Sequence, residues 1–254
     1  MRLLKILPAA LLLIVVLSGS LLGSTRTVLY QTSAFEALAN GVFDGVMTYR
    51  EVKEHGDFGL GTFNGLAGEM VAVNGKYFQI TADGLAHPVD NALRTPFAMV
   101  TYFRRDKVTH VDTPLDLAGL QAYVDRQIAT PNIYYAVRVE GAFDLVRARS
   151  VPTFSKPYPK LSEALTKQKS YELRNVTGVL VGFRCPKYAA GISVPGYHFH
   201  FIDASRTHGG HVLDIRAKDV TVTTDPLRDF RLALPEQGDF DRANLGEATH
   251  VSGE

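Results

Sequence analysis

Four of the eight histidines fall between positions 198 and 211, where an even spread along 254 residues would place fewer than one. In the stretch GYHFHFID at 196–203, His198 and His200 stand two residues apart. Strand geometry puts such a pair on one face and Tyr197, Phe199 and Phe201 on the other. Two imidazoles on one face can reach a single metal ion. Ser205, Gly209 and Gly210 suit a turn that returns the chain antiparallel, so that His211 opens the next strand opposite the pair. Three neutral nitrogens on two adjacent strands, with one coordination position left open, describe a catalytic zinc site; manganese, iron and nickel use similar sets. A lone HxH is more often a pair of solvated strand residues, and it is the third histidine after a Gly-Gly turn that favours the metal. His208 lies in the turn itself and reads as a solvated bystander.

The elements that must position these residues read as mixed α and β, with strands in the majority. A short strand is expected at 27–31, followed by a helix at 33–40 capped by Ser33. Thr48 caps a helix at 49–55 that Gly56 ends. Residues 69–81 form a hairpin pattern around Asn74-Gly75. Residues 114–129 repeat Leu115, Leu117, Leu120 and Tyr123 at helical spacing. Residues 133–139 and 143–151 suggest a second hairpin around Glu140-Gly141, and 161–169 a short helix. Strands follow at 177–184, 197–203, 211–216 and 220–224, and Pro152, Pro157 and Pro159 mark a soft boundary. The expected class is α+β: two β-rich lobes of mixed or antiparallel sheets with a few packed helices. The expected domains are 25–151 and 152–254, with the metal site on adjacent strands of the C-terminal half.

Composition narrows the function classes. With 46% hydrophobic and 21% charged residues, the chain is neither disordered nor collagen-like nor a coiled coil. A net charge of +1 gives no electrostatic reason to expect nucleic acid. A single cysteine, Cys185, excludes an internal disulfide framework and any Cys-cluster metal site. Arg2 and Lys5 precede a charge-free stretch at 6–25 with an apolar run at 9–17 and small residues after it. That pattern describes a secretory signal peptide at 1–24, with an uncleaved membrane anchor as the alternative. The body is therefore expected to be secreted or periplasmic.

The stretch GISVPGYHFHFID at 191–203, continued by GGHVLD at 209–214, resembles the alpha-acetolactate decarboxylase family. Further anchors are GLGTFNGLAGEM at 59–70, TPFA at 95–98 and YAVRVEG at 135–141, so the likeness runs over almost the whole chain after the leader. The resemblance implies conversion of 2-acetolactate to acetoin and carbon dioxide, with Zn2+ held by His198, His200 and His211. It also implies a metal-facing glutamate at Glu69 and an active-site arginine at Arg149, with Arg147 as the rival on the same strand face. A glutamate from the C-terminal tail corresponds to Glu254, with Glu247 as second candidate in a tail shorter than the family's. A homodimer is implied too. Loss of carbon dioxide leaves an electron pair that the ketone must accept as an enediolate, a charge that a metal stabilises. Glu69 is the expected general acid/base and Arg149 the group that orients the substrate. Two other readings stand beside this one: a metalloenzyme for another β-keto or α-hydroxy acid, and a non-enzymatic extracytoplasmic metal-binding protein. Glu69 and Arg149 argue against the last, since a storage site has no use for an arginine beside a cation.

Overall fold

The structure, a computed structural model, describes residues 27–246. The leader, Glu247 and Glu254 lie outside the described residues. The first half of the chain forms β1 (Val28–Thr32), α1 (Phe35–Ala39), β2 (Met47–Thr48), α2 (Tyr49–Val52), β3 (Phe58–Thr62), β4 (Glu69–Val73), β5 (Lys76–Ile80), β6 (Ala86–Pro88), β7 (Arg94–Thr95), β8 (Ala98–Thr101), β9 (Lys107–Val111), β10 (Leu115–Asp116) and α3 (Leu117–Gln127). The second forms β11 (Tyr134–Ser150), α4 (Leu161–Leu165), β12 (Lys169–Cys185), β13 (Gly196–Asp203), β14 (Gly209–Leu227) and β15 (Asp229–Ala233).

These strands build two main sheets, an α+β arrangement as expected. The first has the order β15-β1-β8-β3-β4-β5-β6, antiparallel except for β15 beside β1. The second is antiparallel and closes on itself: β11 pairs β12, β12 pairs β13, β13 pairs the start of β14, and β14 pairs β11. Alternation sorts the apolar residues into three cores. Leu60, Val71 and Ile80 of the first sheet meet Val181, Phe183 and Ile202 of the second between the sheets. Behind the first sheet, Met70, Ala72 and Tyr77 pack on Tyr49 and Val52 of α2. On the far face of the second, Phe199, Phe201 and Val139 pack with Leu120 and Val124 of α3.

Several expectations are corrected. The hairpin expected at Glu140-Gly141 is one continuous strand, β11, because Glu140 and Gly141 are paired on both sides, by Val179 and Gly178 of β12 and by Thr221 and Val220 of β14. With both neighbours in place the strand continues there instead of reversing. The strands expected at 211–216 and 220–224 likewise merge into β14, and the strand expected at 177–184 begins at Lys169. Ser33 does not cap α1. It has φ 61°, and Phe35 and Glu36 donate their N–H groups to the carbonyls of Ile192 and Gly191 in place of a cap. Leu115 falls in β10, ahead of α3, whose cap is Asp116 accepting from the Gly119 N–H. The division at 151/152 cuts across both sheets, since β11 finds its partners in β12 and β14 while β15 returns to β1. The Thr48 cap and the Asn74-Gly75 hairpin form as expected.

Candidate active site

The site lies at one end of the core between the sheets, where apolar side chains give way to polar ones. In β13 the odd-numbered Phe199 and Phe201 fill the far core, so His198 and His200 face the first sheet. His211 stands directly opposite His200, and Arg149 directly opposite His211. Three adjacent strands therefore carry Arg149, His211 and His200 side by side in register. Opposite them, β4 points Glu69 inward along with Val71 and Val73.

The three imidazoles converge. Nε2 of His198 is 3.2 Å from Nε2 of His200 and 3.1 Å from Nδ1 of His211, and the third side of the triangle is 3.4 Å. Three nitrogens bound tetrahedrally to one ion at about 2.0–2.1 Å stand about 3.3 Å apart, so this donor set fits a metal. Nδ1 of His200 lies 2.8 Å from the Met70 carbonyl. A carbonyl only accepts, so that nitrogen carries the proton and Nε2 keeps its lone pair for a ligand. Nδ1 of His198 is buried and has no hydrogen-bond partner among the described residues. Burial holds all three imidazoles in the neutral, ligating form. It pushes His200 down to about 3, with the Met70 hydrogen bond opposing and the Arg149 charge adding to the drop. His198 and His211 are driven well below the usual range by burial, by Arg149 and by the neighbouring histidines.

Arg149 and Glu69 form a buried ion pair, with a guanidinium nitrogen 3.0 Å from Oε1 of Glu69. The other carboxylate oxygen of Glu69 is 3.5 Å from Nε2 of His200, which sets the carboxylate at the edge of the imidazole triangle. Arg147 is exposed and pairs in register with Asp214. Alternation along β11 continues through both arginines, since Val146 and Ala148 fill the far core, but Arg147 is exposed while Arg149 is buried beside Glu69. His208 takes no part in the triangle; it sits outside with Thr207 and Asp203. These polar groups share a small cavity with an apolar wall that includes Phe35 and Leu38 of α1, Leu161 and Leu165 of α4, and Phe97.

A family profile described as Alpha-acetolactate decarboxylase matches residues 29–247. The chain belongs to that family. It is 47% identical to the alpha-acetolactate decarboxylase of Methanosarcina mazei over 220 residues, covering 87% of this chain and 76% of that protein. It is 40% identical to the Bacillus subtilis enzyme of the same name, covering 85% of each. The crystal structure of alpha-acetolactate decarboxylase from Bacillus subtilis superposes with a TM-score of 0.84 at 39% identity, over 85% of this chain and 93% of that one. Family membership makes the chain a carboxy-lyase and places its fold, with the histidines on neighbouring strands of the C-terminal half, among the decarboxylases.

Sequence reasoning missed two parts of the site. The Met70 carbonyl is a backbone group, which no residue type reveals. The cavity wall from α1 and α4 reads in sequence as ordinary amphipathic helix, and nothing in the spacing of Phe35, Leu38, Leu161 and Leu165 marks them as lining one space.

Proposed function

We propose that the protein decarboxylates 2-acetolactate to acetoin, using zinc held by His198, His200 and His211. The observation that carries this reading is the triangle of neutral imidazole nitrogens in one cavity with the Arg149–Glu69 pair. A bound zinc ion supplies Lewis acidity toward the negative charge that develops on the ketone oxygen as carbon dioxide leaves. The chain's own residues do the rest. Arg149 offers a planar fork suited to a carboxylate or to paired oxygens, and its position beside His211 orients the substrate's polar end toward the imidazoles. The apolar wall of Phe35, Leu38, Phe97, Leu161 and Leu165 receives the two methyl groups and excludes water from the reacting carbons. Glu69, paired with the guanidinium, can take the substrate hydroxyl proton on the carboxylate oxygen that faces His200 and pass a proton to the carbon that lost carbon dioxide. Closing the reaction in this way breaks one carbon–carbon bond and forms one carbon–hydrogen bond, and the hydroxyl oxygen regains its proton from solvent, so one proton is consumed for each carbon dioxide released.

The test is acetoin formation from 2-acetolactate. Activity should vanish on treatment with a chelator and return with zinc; undiminished turnover by metal-free protein would contradict the proposal. The basic start and apolar run of the leader support export of the body from the cytoplasm. Amino-terminal sequencing of the mature protein checks it, with a new terminus near residue 25 expected.

A further inference from the structure

His211 is the third residue of β14, so its place depends on how Gly209 and Gly210 run. Both backbone groups of Gly209 are held from outside the pair of ligand strands. Its N–H donates to the Gly84 carbonyl at 3.1 Å, and its carbonyl accepts from the Tyr171 hydroxyl at 2.7 Å. Just upstream, the Ala86 N–H donates to the Thr207 carbonyl at 2.8 Å. The loop between β5 and β6 in the first sheet is thereby fastened to the start of the ligand strand in the second.

Tyr171 stands at the centre of this joint. It comes from β12, in register with Ala148, while its neighbour Ser170 pairs with Arg149. Its ring lies so close to Gly84 that a Cβ there would fall 2.8 Å from a ring carbon. Its hydroxyl lies 2.5 Å from where a Gly210 Cβ would be, and the Arg149 carbonyl is 2.7 Å from the same point. Gly210 has φ +148°, a conformation that other residues rarely adopt. Alternation puts the Gly210 position on the face away from the His211 imidazole. Tyr171 therefore supports the ligand strand from behind, touching its backbone without reaching the cavity.

From this we infer that Tyr171 is a positioning residue for the metal centre, setting the height of His211 against the His198–His200 pair. The inference rests on the reading of the three histidines as a metal site. Metal–ligand distances tolerate about 0.2 Å, so a ligand at the beginning of a strand needs its backbone fixed. Outer groups that orient ligands are worth about 10- to 100-fold in metal affinity, and a residue acting one step further out is expected at the lower end.

The experiment measures zinc affinity of the full-length protein by competition with a chromophoric chelator, for the wild type, Tyr171→Phe, Gly84→Ala and Tyr135→Phe. Tyr135 provides the control, because its hydroxyl makes the same kind of bond to a carbonyl, that of Thr130 at 3.1 Å, away from the histidines. Tyr171→Phe should bind zinc about tenfold more weakly and release it faster. Gly84→Ala, which displaces the ring while keeping the hydroxyl, should shift affinity in the same direction and carries the test if Tyr171→Phe does not fold. Tyr135→Phe should stay within twofold of wild type, whatever either tyrosine variant loses in melting temperature. Wild-type affinity in Tyr171→Phe, or an equal loss in Tyr135→Phe, overturns the inference alone. A wild-type protein that takes up no zinc overturns the metal-centre reading and the inference with it.

Discussion

The cavity has two unlike walls. One is built by three adjacent strands of the closed second sheet, where register alone sets Arg149, His211 and His200 side by side with His198 two residues along. The other comes from the first sheet and from two short helices far apart in the chain, α1 and α4, which supply Phe35, Leu38, Leu161 and Leu165 around the single charged residue Glu69. Strand pairing fixes side chains to a repeating lattice, so the ligand wall can hold nitrogens to within a few tenths of an ångström. Helix packing gives contact and shape without such exact placement. On the proposed function, chemistry that depends on coordination would sit on the first kind of wall, and the fit to methyl groups on the second.

The comparison breaks most sharply at the ligand wall. His200→Ala should abolish metal uptake and lower kcat/KM by on the order of 10³-fold or more, measured by metal content and acetoin formation. Glu69→Gln comes next: kcat should fall about 10²- to 10⁴-fold while zinc stays bound, because the change removes proton transfer and not a donor. Loss of zinc in that variant would place Glu69 among the ligands. Arg149→Met should also lower stability by about 3–5 kcal/mol in denaturant titrations, since it leaves the Glu69 carboxylate buried without its cation. On the apolar wall, Leu165→Ala should raise KM about tenfold with kcat nearly unchanged, the signature of lost contact made equally in ground and transition states. A fall in kcat instead would give that wall a larger part in the chemistry.

The smallest effect tests whether burial in the second sheet also shifts a titrating group away from the histidines. Asp225 is buried near the far end of β14, where its carboxylate accepts from the Arg104 N–H, and burial pushes it up to about 6. A carboxyl whose folded pKa is raised stabilises the fold when protonated, and that contribution is lost as pH rises from about 4 through 6. Asp225→Asn should therefore gain in denaturation midpoint relative to wild type at pH 7 and not at pH 4. An equal difference at both pH values would show that Asp225 does not titrate in this range.

The two walls were unequally legible in the sequence. HxH with His211 after Gly209-Gly210 encodes face and register directly, and in the structure these three imidazoles meet while His208 lies outside the triangle. Glu69 and Arg149 needed family resemblance, because a charge at a strand end carries no address. Arg149 and Arg147 share a strand face, and only their depth in the fold, buried for one and exposed for the other, separates them, which alternation does not foresee. Local turn signals misled where tertiary pairing prevailed. Glu140-Gly141 resembles a hairpin turn in isolation but lies in the middle of a strand flanked on both sides. Ser33 resembles a cap, yet the carbonyls of residues 191 and 192, remote in sequence, receive the first N–H groups of α1. Those long-range contacts also bring α1 to the cavity, so the apolar wall was invisible for the same reason.

The central claim is that one metal ion on His198, His200 and His211 makes this cavity a decarboxylase. Its most direct test is titration of metal-stripped protein with zinc while acetoin formation from 2-acetolactate is followed. Activity should rise linearly from zero and level off at one zinc per chain, with His200→Ala flat throughout. Full activity before any zinc is added, or a rise that His200→Ala shares, would contradict the account.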